Sequence, residues 1–229
     1  MNKKIAILIA TITTLLTFQL SAENVKASVE TGYTTDYMVN GVSRATDRAF
    51  TTIALGATYS TVDMYMGVTL LPTSTSLDES HWKVGLGRGV AVAEGVSLRF
   101  DAQAIRHLTS IVGQPNSTEF NVSLALENKL LTPYVRGISD IELKQTGYII
   151  GVKRSTDVFG LFTLTPAIEY GRLTDYETFC AKATISRVIW KHLEPFVEVG
   201  YYDSNIKSSF AARNLSGKFT GGGGLKWTF

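Results

Sequence analysis

The chain of 229 residues carries 22 Lys and Arg against 20 Asp and Glu, and 45% of it is hydrophobic. So even a balance excludes the basic excess of a nucleic-acid binder. One cysteine, Cys180, excludes an intramolecular disulfide framework.

In chain order, Asn2-Lys3-Lys4, the apolar run IAILIATITTLLTFQL and the small residue Ala22 read as a signal peptide, residues 1–22, cleaved before Glu23. The run contains four threonines and falls short of the about 20 apolar residues that an anchor needs. Cleavage removes Lys3 and Lys4 and no acid, which leaves a formally neutral exported chain. No linker divides the remainder, so residues 23–229 are expected to form one domain.

From residue 25 onward apolar and polar residues alternate. Val62, Met64, Met66, Val68 and Leu70 alternate with Asp63, Tyr65, Gly67 and Thr69, and the pattern recurs over 96–104, 120–127, 162–170 and 193–202. A period of two marks a strand with two unlike faces, and no segment after residue 23 has helical spacing. Division at the turn residues gives about twelve strands, within a range of 10 to 14, near 25–40, 48–60, 62–71, 81–92, 95–106, 118–128, 131–140, 145–154, 158–172, 176–188, 193–203 and 217–229.

Connections after even-numbered strands are short, around Ser60-Thr61, Ala93-Glu94, Lys129-Leu130, Ser155-Thr156-Asp157 and Lys191-His192. Those after odd-numbered strands include the long polar segments at 72–80, 107–117 and 203–216, with shorter ones near 41–47, 141–144 and 173–175. An even strand count with loops sorted by end predicts an all-β, antiparallel, up-and-down transmembrane barrel of the bacterial outer membrane, with both termini on the periplasmic side. The competing soluble β-sandwich gives no reason for such sorting.

In a membrane barrel the apolar set faces lipid and the polar set faces the lumen. Aromatic residues gather toward strand ends as expected of interfacial girdles: Tyr37, Tyr59, Trp82, Tyr134, Tyr148, Phe159, Tyr170, Phe179, Trp190, Tyr201, Trp227 and Phe229. The lumen set carries Lys26, Lys83, Arg99, Arg136, Lys153, Lys182 and Lys226 against Glu30, Asp63, Asp101, Glu127, Glu169, Glu194 and Glu198. Of these, Lys83, Arg99, Asp101, Glu127, Arg136, Lys153, Glu169, Lys182, Glu198 and Lys226 are the candidate pore-lining residues. Two positions break the pattern. Arg88 falls on the lipid set, and a bulge in the glycine-rich GLGRGV would return it to the lumen. Phe50 is out of phase with Ile53 and Leu55, which places it beyond the hydrocarbon.

The last strand must close against the first, because only a closed sheet leaves no unpaired backbone in lipid. Gly221 to Gly224 interrupt that strand, as expected where backbones approach closely and the sheet bends. The terminal Trp227-Thr228-Phe229 resembles the C-terminal signal by which outer-membrane proteins are recognised by their assembly machinery, which makes Trp227 and Phe229 its expected bearers.

In the first strand, Thr35-Asp36-Tyr37-Met38-Val39-Asn40-Gly41-Val42-Ser43 resembles the "SDYvfRGvS" opening of the TorF-like family, whose members are named as outer-membrane porins. The resemblance covers about ten residues specifically and implies a pore-type barrel. It departs at Asn40, where an arginine is usual, so no role of that arginine carries over.

Enzyme signatures are missing. The outer-membrane phospholipases resemble one another in a His-x-Ser pair, whereas here His81 precedes Trp82-Lys83, His107 precedes Leu108-Thr109 and His192 precedes Leu193-Glu194. The Asp-x-His dyad of omptin-like proteases is also missing. The three histidines read as interfacial polar residues, no cluster shows metal-ligand spacing, and no cofactor is expected. Cys180 reads as a small lumen filler. The function expected is an outer-membrane pore for small polar solutes with a charge-balanced lumen, in contact with lipid and the assembly machinery. The alternative is a non-conducting structural or adhesion barrel acting through its outer loops.

Overall fold

The computed structural model describes residues 24–40, 42–72, 77–109, 115–205 and 217–229. The expected signal peptide and most of the three long loops lie outside these residues. Every element described is a strand: β1 (Asn24–Val39), β2 (Val42–Tyr59), β3 (Val62–Pro72), β4 (Leu77–Ala93), β5 (Val96–Thr109), β6 (Ser117–Asn128), β7 (Thr132–Asp140), β8 (Gln145–Lys153), β9 (Thr156–Val158), β10 (Phe162–Leu173), β11 (Tyr176–Ser186), β12 (Leu193–Ser204) and β13 (Lys218–Thr228).

Neighbours pair antiparallel, β8 pairs with β10, and β13 returns to β1, so twelve strands close into a ring. The short β9 folds back onto the start of β10. The tight turn there is therefore at Phe159-Gly160-Leu161 and not at 155–157, with both Phe159 and Gly160 at positive φ. β2 also begins earlier than its apolar pattern suggests, because residues 43–46 continue the ladder with β1 past a bulge at Tyr37/Met38.

The outer surface decides the solvent. Val122, Val197, Val199 and Ile168 are between 52% and 65% exposed, alongside Val84, Leu86, Met64, Phe100 and Ile150. A belt of that extent is untenable in water and matches the lipid-facing band of a membrane barrel. Tyr59, Phe159, Trp190, Trp227 and Phe229 lie exposed at the inner end, where an aromatic girdle forms.

Four positions differ from the sequence reading. Phe50 turns into the lumen, pairs across Gly32 and packs with Ala45, Leu71, Tyr37 and Phe196. Its phase was that of the lumen set all along. Tyr37 is not in the girdle: it turns inward, edge-on to His81 with ring centroids 4.9 Å apart. Tyr134 also faces inward and donates its hydroxyl to Glu169. Arg88 stays on the outer face, since its register with Phe100 is unbroken and the bulge lies at Ala91/Ala93 instead. Only five residues from the end of β4, its long side chain reaches the inner interface.

The glycine run sits at the closing seam. Gly222 and Gly224 pair with Thr34 and Gly32 of β1. A Cβ on Gly224 would overlap Thr31 O and stand 2.8 Å from the Gly32 Cα, and one on Gly222 would stand 2.7 Å from Tyr33 O. Side chains are excluded because the sheet curves sharply inward and backbones meet where Cβ atoms would stand. Gly221 is not under this constraint, with its nearest contact at 3.7 Å.

At the outer end, β5, β6 and the turn after β7 are clamped together. Glu142 accepts from Arg106, from the Thr118 N–H at 2.6 Å and from the Thr118 hydroxyl at 3.0 Å. Desolvation opposes ionisation there, but these donors prevail and pull the Glu142 carboxyl down to about 2. The clamp fixes the strand ends that carry His107 and Glu119.

Candidate functional site

The lumen is charged toward its inner end, hollow at mid-height and crossed by the β1–β2 hairpin at its outer end. Near the inner end Arg99 holds two carboxylates, Asp101 through Nε and Nη2 at 2.9–3.2 Å and Asp63 through Nη1 at 2.9 Å. Asp63 also accepts from Thr58, and Glu127 accepts from Ser97 at 3.1 Å. Lys83 extends over the Tyr65 ring, 5.7 Å from its centroid. Lys226 stands opposite Glu30 and Glu194.

Higher up, Lys182 lies 3.9 Å from Glu198, which also accepts from the Thr184 hydroxyl. Glu169 accepts from Tyr134. Arg136 and Lys153 line the β7 and β8 walls, opposite Ile149 and Thr132 respectively. A cavity of about 250 Å³ opens beside β1, β12 and β13, lined by Glu30, Phe50, Lys182, Phe196, Glu198, Tyr202 and Gly221–Gly223. The candidate residues are thus distributed along the wall in pairs and are not gathered into one centre. Trp227 and Phe229 stack at 5.8 Å on the outer face, with the Phe229 backbone bonded to Ala27.

The outer end holds a cluster that the sequence reading did not assemble. Asp36, Ser43, Arg44, Glu79, His81, His107, Glu119 and Asn121 are all at most 6% exposed. Ser43 donates to Asp36 at 2.8 Å, and Arg44 Nε donates to Glu79 Oε1 at 3.1 Å. The two imidazoles face each other, Nδ1 to Nδ1, at 2.8 Å. His81 and His107 are therefore lumen residues and not interfacial ones, while His192 is exposed at an inner turn.

The β1–β2 hairpin reaches across this mouth. Asn40, held at φ 50, donates to Glu119 on β6 at 2.6 Å, and its carbonyl accepts the Tyr176 hydroxyl from β11 at 3.4 Å. Those strands lie five places from β1 in one direction round the ring and three in the other, so one residue ties two walls together. Asn40 is the position where the sequence departs from the TorF-like pattern.

No family model and no curated protein matches the sequence. Among solved structures, the fold is similar to the KdgM porin in complex with disordered oligogalacturonate, at 10% identity, covering 89% of this chain and 99% of that one with a TM-score of 0.60. It is also similar to an outer-membrane channel from Pseudomonas putida F1, at 9% identity, 92% and 97% coverage and a TM-score of 0.57. This chain is an outer-membrane β-barrel. Phospholipase A from the outer membrane of Escherichia coli is similar as well, at 12% identity, 88% and 92% coverage and a TM-score of 0.55. Channels and an enzyme share this architecture, so the lumen and not the ring must carry the functional argument.

Proposed function

We propose that the barrel is a narrow outer-membrane channel for small polar solutes, with its outer mouth constricted by the β1–β2 hairpin. The observation that carries this reading is the interior: charged pairs and a cavity of about 250 Å³ lie below the hairpin, space that a barrel filled by its own side chains would not leave. The similar KdgM structure holds an acidic oligosaccharide. Here Arg99 is neutralised by Asp63 and Asp101, and Lys182 by Glu198, so the mid-lumen offers no unbroken cationic track for such a polymer. The resemblance of residues 35–43 to the TorF-like family supports the same reading.

The refolded chain in a planar bilayer is expected to give discrete conductance steps, with reversal potentials near zero in a KCl gradient because the lumen charges are paired. Reversal close to the Nernst potential of one ion would overturn the balanced lumen; a correctly inserted, silent barrel would overturn the channel. The hairpin bonded across the mouth favours a second reading in that event, a barrel that acts through its outer loops by binding a partner at the cell surface.

Trp227 and Phe229 are proposed as the assembly signal. Deleting Phe229 is expected to cut the amount of heat-modifiable barrel in the outer membrane severalfold, while unassisted refolding in detergent changes little. Equal loss in both settings would assign Phe229 to stability alone.

A further inference from the structure

The geometry points to a divalent transition-metal site formed by Glu79, His81 and His107 at the outer end of the lumen. The three side chains each bring a donor atom within 4.8 Å of the others. They are 1%, 6% and 2% exposed, so water does not solvate them freely. Glu79 and His81 are two apart on β4 and share one face, and His107 is directly opposite His81 on β5. The donors are thus carried by two paired strands of a closed sheet, and a metal could be bound without moving the backbone.

What marks the cluster as a site and not a satisfied core is its unused capacity. Glu79 Oε2, His81 Nε2 and His107 Nε2 are buried without a hydrogen-bond partner. His81 Nε2 lies 2.9 Å from Glu79 Oε1 but lacks the alignment of a hydrogen bond, and His107 Nε2 is 3.6 Å from Glu119. Orphaned buried groups of this kind are costly, and an ion satisfies Glu79 Oε2 directly while fixing the tautomers that let each Nε2 donate. The facing Nδ1 atoms at 2.8 Å must share a proton when both rings are neutral, whereas an ion held between them takes both lone pairs and puts a proton on each Nε2, which stand near Glu79 and Glu119. Tetrahedral ligands about 2.05 Å from zinc stand roughly 3.3 Å apart, so small side-chain rotations suffice.

The chemistry selects the class of ion. Two imidazoles and one carboxylate suit Zn²⁺, Cu²⁺ or Ni²⁺ and disfavour Ca²⁺ or Mg²⁺, which want oxygen ligands. Arg44 occupies Glu79 Oε1 and leaves Oε2 to the ion. Glu119, Asp36 and Asp140 in the same mouth offset the positive charge of Arg44. An adjoining cavity of about 30 Å³, lined in part by Arg44, His107 and Glu119, has room for one water as a further ligand. A bound ion would tie the outer ends of β4 and β5 to each other.

The test is titration of the full chain, refolded in detergent and stripped with a chelator, with Zn²⁺ alone. One equivalent per chain is expected, at micromolar affinity or tighter, with a rise in melting temperature. His81→Gln and His107→Gln should each weaken binding at least tenfold, while His192→Gln leaves it unchanged. Heat-modifiable migration confirms that each variant is folded. If the glutamine variants do not fold, Cu²⁺ bound to the unaltered chain decides the matter: hyperfine coupling to imidazole nitrogens in its electron paramagnetic resonance spectrum supports the site, and an oxygen-only spectrum overturns it. Absence of saturable binding, or full binding in a folded His81→Gln/His107→Gln variant, also overturns it. None of these readouts depends on conductance, so the site and the channel reading fail separately.

Discussion

Gly224→Val is expected to destabilise the barrel strongly. Its Cβ would fall on Thr31 O and close to the Gly32 Cα, and both are backbone atoms of the closing strand that no side-chain rotation can clear. Overpacking costs about 1–3 kcal/mol where side chains can yield, and the fixed backbone puts this case at or above the upper figure. For a domain of this size that lowers the melting temperature by roughly 10 °C or more. Thermal unfolding followed by loss of heat-modifiable migration measures it. Gly221→Ala is the matched control and should melt within about 2 °C of the parent, since nothing lies within 3.7 Å of its added methyl. Equal behaviour of the two variants would mean that the glycines serve flexibility and not close approach.

The second large effect concerns the mouth. Asn40→Ala combined with Tyr176→Phe removes the two bonds that Asn40 makes to β6 and β11. A hydrogen bond to a charged group is worth about 1.5–3 kcal/mol, so loss of the Asn40–Glu119 bond alone shifts a sealed–open equilibrium by roughly 10- to 150-fold. Single-channel recording should show a severalfold rise in conductance or open time, with the melting temperature little changed because the ring is untouched. Unchanged traces in a folded double variant would show that the hairpin is not the constriction.

The ring itself was legible in the sequence, because lipid on one side and water on the other force a period of two along every strand. The turn residues added the count of twelve. The mouth was not legible. Beyond the hydrocarbon the lipid face no longer requires apolar residues, so Phe50, Leu71 and Tyr37 could turn inward without breaking any rule that the alternation encodes. The histidines show the problem most clearly. A count back from a two-residue turn at Glu94-Gly95 places Leu108 opposite His81. The bulge at Ala91/Ala93 moves the register by one residue and brings His107 there instead. Glu79-x-His81 on one strand face was the available signal, but it gained meaning only with that shift. Arg88 was misread for the related reason that glycine-rich sequence permits a bulge without fixing its place.

The hairpin also has a consequence for how the protein is made. Asn40 is 79 positions from Glu119 and 136 from Tyr176, and Thr35 is 186 from Gly221 across the seam. Contacts of such long sequence separation carry a loop-closure cost and form late. β1 bears both the seam and the hairpin tip, so the strand that completes the ring also delivers its stopper. A barrel caught half-assembled is open along its side and at its top, and both leaks are stopped by the same final step.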